Sequence, residues 1–129
     1  MTISNVWQST ILSLLRFVAG LVFIEHGASK LFAFPVPFGH YPLSPLFFSA
    51  GIIETFGGLL ICIGLFTRVA AFICSGEMAT AYFMAHLPKS MFPLVNGGDA
   101  AILFCFIFFY LVFAGPGPIS LDRLIWHRR

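Results

Sequence analysis

The chain has 129 residues, of which 59% are hydrophobic and 9% charged, with a formal net charge of +2 and a mean hydropathy of +0.96. Soluble domains carry roughly 45–50% apolar and about 25% charged residues, so an ordinary water-soluble globule is excluded, and so is disorder. Seven Lys and Arg against five acids, with no basic run, give no case for nucleic acid as a partner.

Four apolar segments follow in chain order, and a helix needs about 20 apolar residues to cross a bilayer. The first runs from about Thr10 to Phe34 and is ended by Pro35 and Pro37. It is too long for a signal-peptide core and carries Glu25, His26 and Lys30, so it reads as a span. The second runs from about Leu46 to Phe66, with Ser44 placed to cap it and Pro45 at its first helical position. The third, Arg68 to Leu87, is stopped by Pro88. The fourth begins after Asn96 and continues to Ala114, where Gly115-Pro116-Gly117-Pro118 breaks it. Residues 119–129 form a short amphipathic tail. Barrel strands alternate apolar and polar positions, whereas Ala101 to Ala114 is unbroken apolar. The expectation is an all-α protein, a four-helix transmembrane bundle forming one domain over residues 1–129.

Orientation follows from the cations. With four crossings, Arg16, Arg68, Arg123, Arg128 and Arg129 share a side with both termini, against Lys30 and Lys89 on the other. The positive-inside rule then predicts both termini in the cytoplasm. Trp7, Trp126 and Tyr41 fall near the expected interfaces, where amphipathic rings are favoured.

The acids carry the functional signal. Glu25, Glu54, Glu77 and Asp99 fall one to each apolar segment. An acid at mid-helix costs about 2.5–3.5 kcal/mol on insertion scales, so the default reading is a functional or interhelical group facing the bundle interior. At about 1.5 Å per residue, Glu25, Glu54 and Glu77 lie roughly 13–15 Å below the outer boundary, and Asp99 is shallower. His26, Lys30 and His86 lie close in depth, which predicts a polar cluster in the outer half of the bundle. Stripes of small residues run with Glu54 (Ala50, Gly57, Gly64) and with Glu77 (Ala70, Cys74, Ala81) and allow close helix approach. The ligand-binding or proton-exchange candidates are Glu25, His26, Lys30, Glu54, Glu77, His86 and Asp99. The alternative for the acids is structural pairing with Arg16, Lys30 or Thr55. Arg16 reads as a snorkelling anchor or a salt-bridge partner, and Lys89 as an interface anchor. Cys62, Cys74 and Cys105 read as buried apolar side chains. No metal, phosphate-loop or hydrolase motif is present.

The ordered set of Leu15-Arg16, Gly20, Phe23-Ile24-Glu25-His26-Gly27, Lys30-Leu31-Phe32, Glu54, Gly57-Gly58, Gly64-Leu65, Thr67-Arg68, Met78, Ala81-Tyr82, His86, Pro93, Asn96-Gly97-Gly98, Ala100-Ala101, Gly115-Pro116-Gly117-Pro118 and Ser120-Leu121-Asp122 resembles the DoxX family of small bacterial membrane proteins. The resemblance covers about Leu15 to Arg123 and implies a multi-pass protein of the bacterial inner membrane. It further implies a quinone-linked redox subunit or accessory, with a quinone as the molecule bound and a redox protein as partner. The competing expectations are a non-catalytic scaffold for a redox partner and a carrier for a small solute or protons. Gly- and Phe-rich faces are compatible with a homo-oligomer.

Overall fold

The computed structural model describes residues 2–37 and 44–126, and among these the regular structure is wholly helical. Helix α1, Ile3–Phe32, is capped by the Thr2 hydroxyl, which accepts from the Asn5 amide at 3.3 Å. It begins well before Thr10 because the polar first turns are satisfied within the helix. Helix α2 spans Pro45–Ile63, with Ser44 accepting from the Phe47 amide at 3.1 Å and Pro45 in the first turn, as the sequence predicts. Within α2, residues Ile53–Gly57 form a π turn. Helix α3, Thr67–Ala81, runs on through a second π turn, Tyr82–His86, and a 3-10 turn, Leu87–Lys89. A single turn α4, Pro93–Asn96, precedes α5, Asp99–Ala114, and α6 is Leu121–Trp126.

Glycines set the spacing of the helices. A Cβ at Gly20 would lie 2.6 Å from the Cys62 amide nitrogen, and one at Gly58 would lie 2.9 Å from the Ile24 side chain. Contact between α1 and α2 this tight gains dispersion energy that a lipid-facing surface cannot supply. The other extensive pairing is α3 along α5. The two pairs meet at Phe23, which is fully buried with its ring 5.2 Å from Phe104 and 4.8 Å from Phe108. Ile61, Ala71, Cys74 and Leu111 complete a core of mostly small side chains. Many other large apolar residues face outward: Phe17, Leu21, Phe56, Phe72, Phe106 and Phe113 are all exposed.

The sequence predicts four crossings; among the described residues two helices, Ile3–Phe32 and Pro45–Ile63, are long and apolar enough to cross a membrane by length and composition. Helix α5 is apolar but, with 16 residues, reaches only about 24 Å at 1.5 Å per residue. The α-helical part of α3 ends at its π turn. Tyr41, Arg128 and Arg129 lie outside the described residues. The segment after Ala114 also differs from a free amphipathic tail, because residues 115–122 fold back onto α1, α3 and α5.

Candidate functional site

Lys30 leaves the last turns of α1 toward α2, where the Gly51 backbone gives it room. A Cβ at Gly51 would lie 3.2 Å from Lys30 Cβ and 2.7 Å from Leu31 Cδ2. The ammonium reaches Glu54 Oε2 at 2.5 Å and sits 5.7 Å from the centre of the Phe47 ring, close enough for a cation–π contribution. Glu54 is fully buried and lies in the π turn of α2. The wider turn shifts the phase of the residues that follow, a device that recurs at functional sites. Glu54 Oε1 has no hydrogen-bond partner.

From α3, Glu77 joins the pair. Both of its carboxyl oxygens are buried, and its carboxyl lies beside that of Glu54, where the two bond only through a shared proton, with the Lys30 ammonium nearby. Cys74, one turn before it, is fully buried and interacts with both acids. Its Sγ lies against Gly57, where any side chain on α2 would collide with it. Three helices thus contribute one ammonium and two carboxyls to an interior shielded from solvent. A buried carboxylate is tolerated only when paired or neutral. The charge arithmetic therefore asks for one bound proton in addition to the Lys30 ammonium.

The remaining predicted residues lie elsewhere. Glu25 is exposed on the outer face of α1, which corrects the expectation that every acid faces the interior. It precedes Lys30 by five positions, so at 3.6 residues per turn the two point about 140° apart. Asp99 is exposed in the first turn of α5, where the unpaired amides of a helix start favour an acid. His26 is half-buried, with Nδ1 3.0 Å from the Val22 carbonyl and its ring edge-on to Phe104 at 5.5 Å. His86, in the π turn after α3, has Nδ1 3.1 Å from the Asn96 carbonyl and its ring stacked on Tyr82. Asn96 is buried and donates to the Tyr82 hydroxyl at 3.2 Å and the Ser90 carbonyl at 3.0 Å. Of the seven candidates, Lys30, Glu54 and Glu77 form one cluster, and His86 belongs to a separate loop network.

A second polar cluster, unread in the sequence, closes the opposite end. Arg16 is 3% exposed, which corrects its reading as a snorkelling anchor. Its guanidinium donates to the Pro116 carbonyl, to the Ile119 carbonyl at 2.8 Å and to the Cys62 carbonyl at 3.4 Å. Ser13 accepts from the Ile119 amide at 3.1 Å. Asp122 accepts from the Phe66 and Thr67 amides at 2.7 and 2.9 Å, which caps α3. Arg68 donates to the Val112 and Phe113 carbonyls at 2.7 and 2.8 Å, which caps the end of α5. The available signal was the Gly-Pro-Gly-Pro break followed by Ser120-Leu121-Asp122: positive φ at Gly115 and Gly117 turns the chain back onto the helix ends.

The sequence profile of the DoxX family matches residues 11–87, which include every member of the buried triad. A protein of Haemophilus influenzae, described as uncharacterized, is 44% identical over 118 residues, covering 87% of this chain and 88% of its own length. No solved structure matches the chain significantly. With more than half of the sequence inside the family profile and a relative aligned along most of both chains, the protein belongs to the DoxX family, whose members are membrane-associated.

Proposed function

We propose that the protein is a multi-pass component of the bacterial inner membrane, a four-helix transmembrane bundle with both termini cytoplasmic. Its working centre is the Lys30–Glu54–Glu77 triad, which exchanges protons and hydrogen bonds with a quinone-type molecule as a redox subunit or accessory. One observation carries the reading: Glu54 and Glu77 set two carboxyls side by side in the interior, with one ammonium, that of Lys30, to balance them. Such a pair is expensive in a purely structural interior, and its acceptor oxygens match the hydroxyl donors of a quinol, while a carboxyl proton or the Lys30 ammonium matches the carbonyl oxygens of a quinone. Phe47 supplies an aromatic wall over Lys30. Oxidation of a bound quinol would release two electrons to the redox partner and two protons, which the carboxyl pair would take up in turn and pass on to bulk water; reduction would run in reverse.

The scaffold reading draws on the Lys30–Glu54 pair itself, which alone could join α1 to α2. It leaves the Glu54–Glu77 contact as a link between α2 and α3 that requires a buried proton. A carrier needs a path to both sides, and the clasp of Arg16, Ser13 and Asp122 over the tail end argues against one.

The test is infrared difference spectroscopy on protein in nanodiscs, with a short-chain ubiquinol analogue as the probe. A carboxyl C=O change on adding the probe is expected in the wild type, reduced in Glu54→Gln and in Glu77→Gln. The proposal fails if the wild type gives no such change or if both variants retain it in full.

A further inference from the structure

Glu25 is an acid within a membrane-length helix that the triad leaves unused. It sits seven residues before the end of α1 at Phe32, about 10 Å along the helix axis, on a face otherwise made of exposed aliphatic side chains. Ile11, Leu14, Val18, Leu21 and Glu25 follow one another at alternating spacings of three and four residues, and all five are exposed. That spacing is the seam of a parallel helix pair, in which a lone polar residue at a seam position fixes register. Exposed hydroxyls on other spans are satisfied by their own helices: Ser49 donates to the Pro45 carbonyl at 2.7 Å and Thr80 to the Gly76 carbonyl at 2.9 Å. Glu25 has no such recourse, and among the described residues no hydrogen bond or ion pair reaches it. Lipid complements the aliphatic part of the seam and not the carboxyl.

We infer that a second copy of this chain covers the seam, α1 against α1 in parallel, with the two Glu25 carboxyls hydrogen-bonded across a two-fold axis normal to the membrane. The inference rests on the reading of α1 as a membrane span. Two copies inserted the same way place identical residues at identical depth, so the group that meets Glu25 at the axis is its twin. A carboxyl O–H on one copy donates to a carboxyl oxygen on the other, which satisfies both in hydrocarbon. Among the described residues the exposed Lys and Arg side chains do not compete, because Arg68, Lys89 and Arg123 lie at helix ends and in loops.

The test is copper-phenanthroline cross-linking in native membranes. Val18→Cys and Leu21→Cys are expected to give disulfide-linked dimers. The parent chain, with its three native cysteines, and Phe106→Cys on the exposed face of α5 are expected to give none. In the Leu21→Cys background, Glu25→Leu should lower the dimer yield roughly tenfold, the scale of an interhelical polar contact in a membrane, while Glu25→Gln should preserve it. No dimer from either seam cysteine, equal yields from Phe106→Cys, or indifference to Glu25→Leu would each overturn the inference. Carbonate extraction is run on the same membranes. Retention without dimers rejects the seam alone, and release of the parent chain rejects the membrane reading with it.

Discussion

Lys30 and Glu54 form a buried ion pair whose partners come from different helices, so each depends on the other for its charge to be tolerable. Removal of one partner from such a pair costs about 3–5 kcal/mol, whereas replacing both by apolar groups is often neutral. Lys30→Met is therefore expected to destabilise the fold by that amount, and Lys30→Met combined with Glu54→Leu to recover most of it. Unfolding in mixed detergent micelles measures both, and equal losses in the single and double variants would contradict the pairing. The triad was legible in the sequence by depth: counting from Phe34, Pro45 and Leu87 puts Glu25, Glu54 and Glu77 at similar heights. Depth carries no azimuth. Lys30 and Glu25 are five residues apart, and the helical turn that aims Lys30 at α2 turns Glu25 outward. The role of Arg16 is hidden in the sequence for a related reason, because its acceptors on Pro116 and Ile119 lie one hundred or more residues along the chain.

The helices themselves owe their limits to local chemistry in some places and to distant segments in others. Ser44 and Pro45 announce the start of α2 in the sequence, and the hydroxyl cap is where those residue types place it. The π turn at Ile53–Gly57 has no such announcement, since its residues continue the apolar run without a break in pattern. Helix α3 starts without a capping side chain of its own, at Phe66 with φ 49°, and borrows Asp122 instead. Asp122→Ala leaves those two amides unpaired and is expected to cost about 1–2 kcal/mol. Asp122→Asn, which keeps an acceptor, is expected to cost less. Thermal unfolding in detergent compares the two; equal losses would show that the cap is not the source of the effect.

In the molecule as a whole, Gly, Ala, Cys and Ser let the helices approach one another around a buried Phe23–Phe104–Phe108 group, while many Phe, Leu and Ile side chains cover the outside. This apolar exterior was legible in the composition, because a chain with 9% charge has too few polar groups to coat a sphere. The number of crossings was less so, since apolar runs in the sequence pass through π and 3-10 turns without marking where the α-helix stops. The proposed orientation is tested by labelling single cysteines with an impermeant maleimide. Lys89→Cys is expected to react in intact spheroplasts and Ser4→Cys only after lysis; the opposite pattern would invert the topology. The clasp at the tail end also bears on how the protein is made. Pro116 leaves the ribosome one hundred residues after Arg16, so throughout synthesis the guanidinium has no tail carbonyl to bind. Until then it has the Cys62 carbonyl alone among its three acceptors, and its other donors must be met by lipid headgroups, by water, or by whatever machinery inserts the helices. The last closure of the fold is accordingly the docking of the newest segment onto the oldest helix, and an arrest of translation before Ser120 would leave a nascent chain with its first span in place and its base still open.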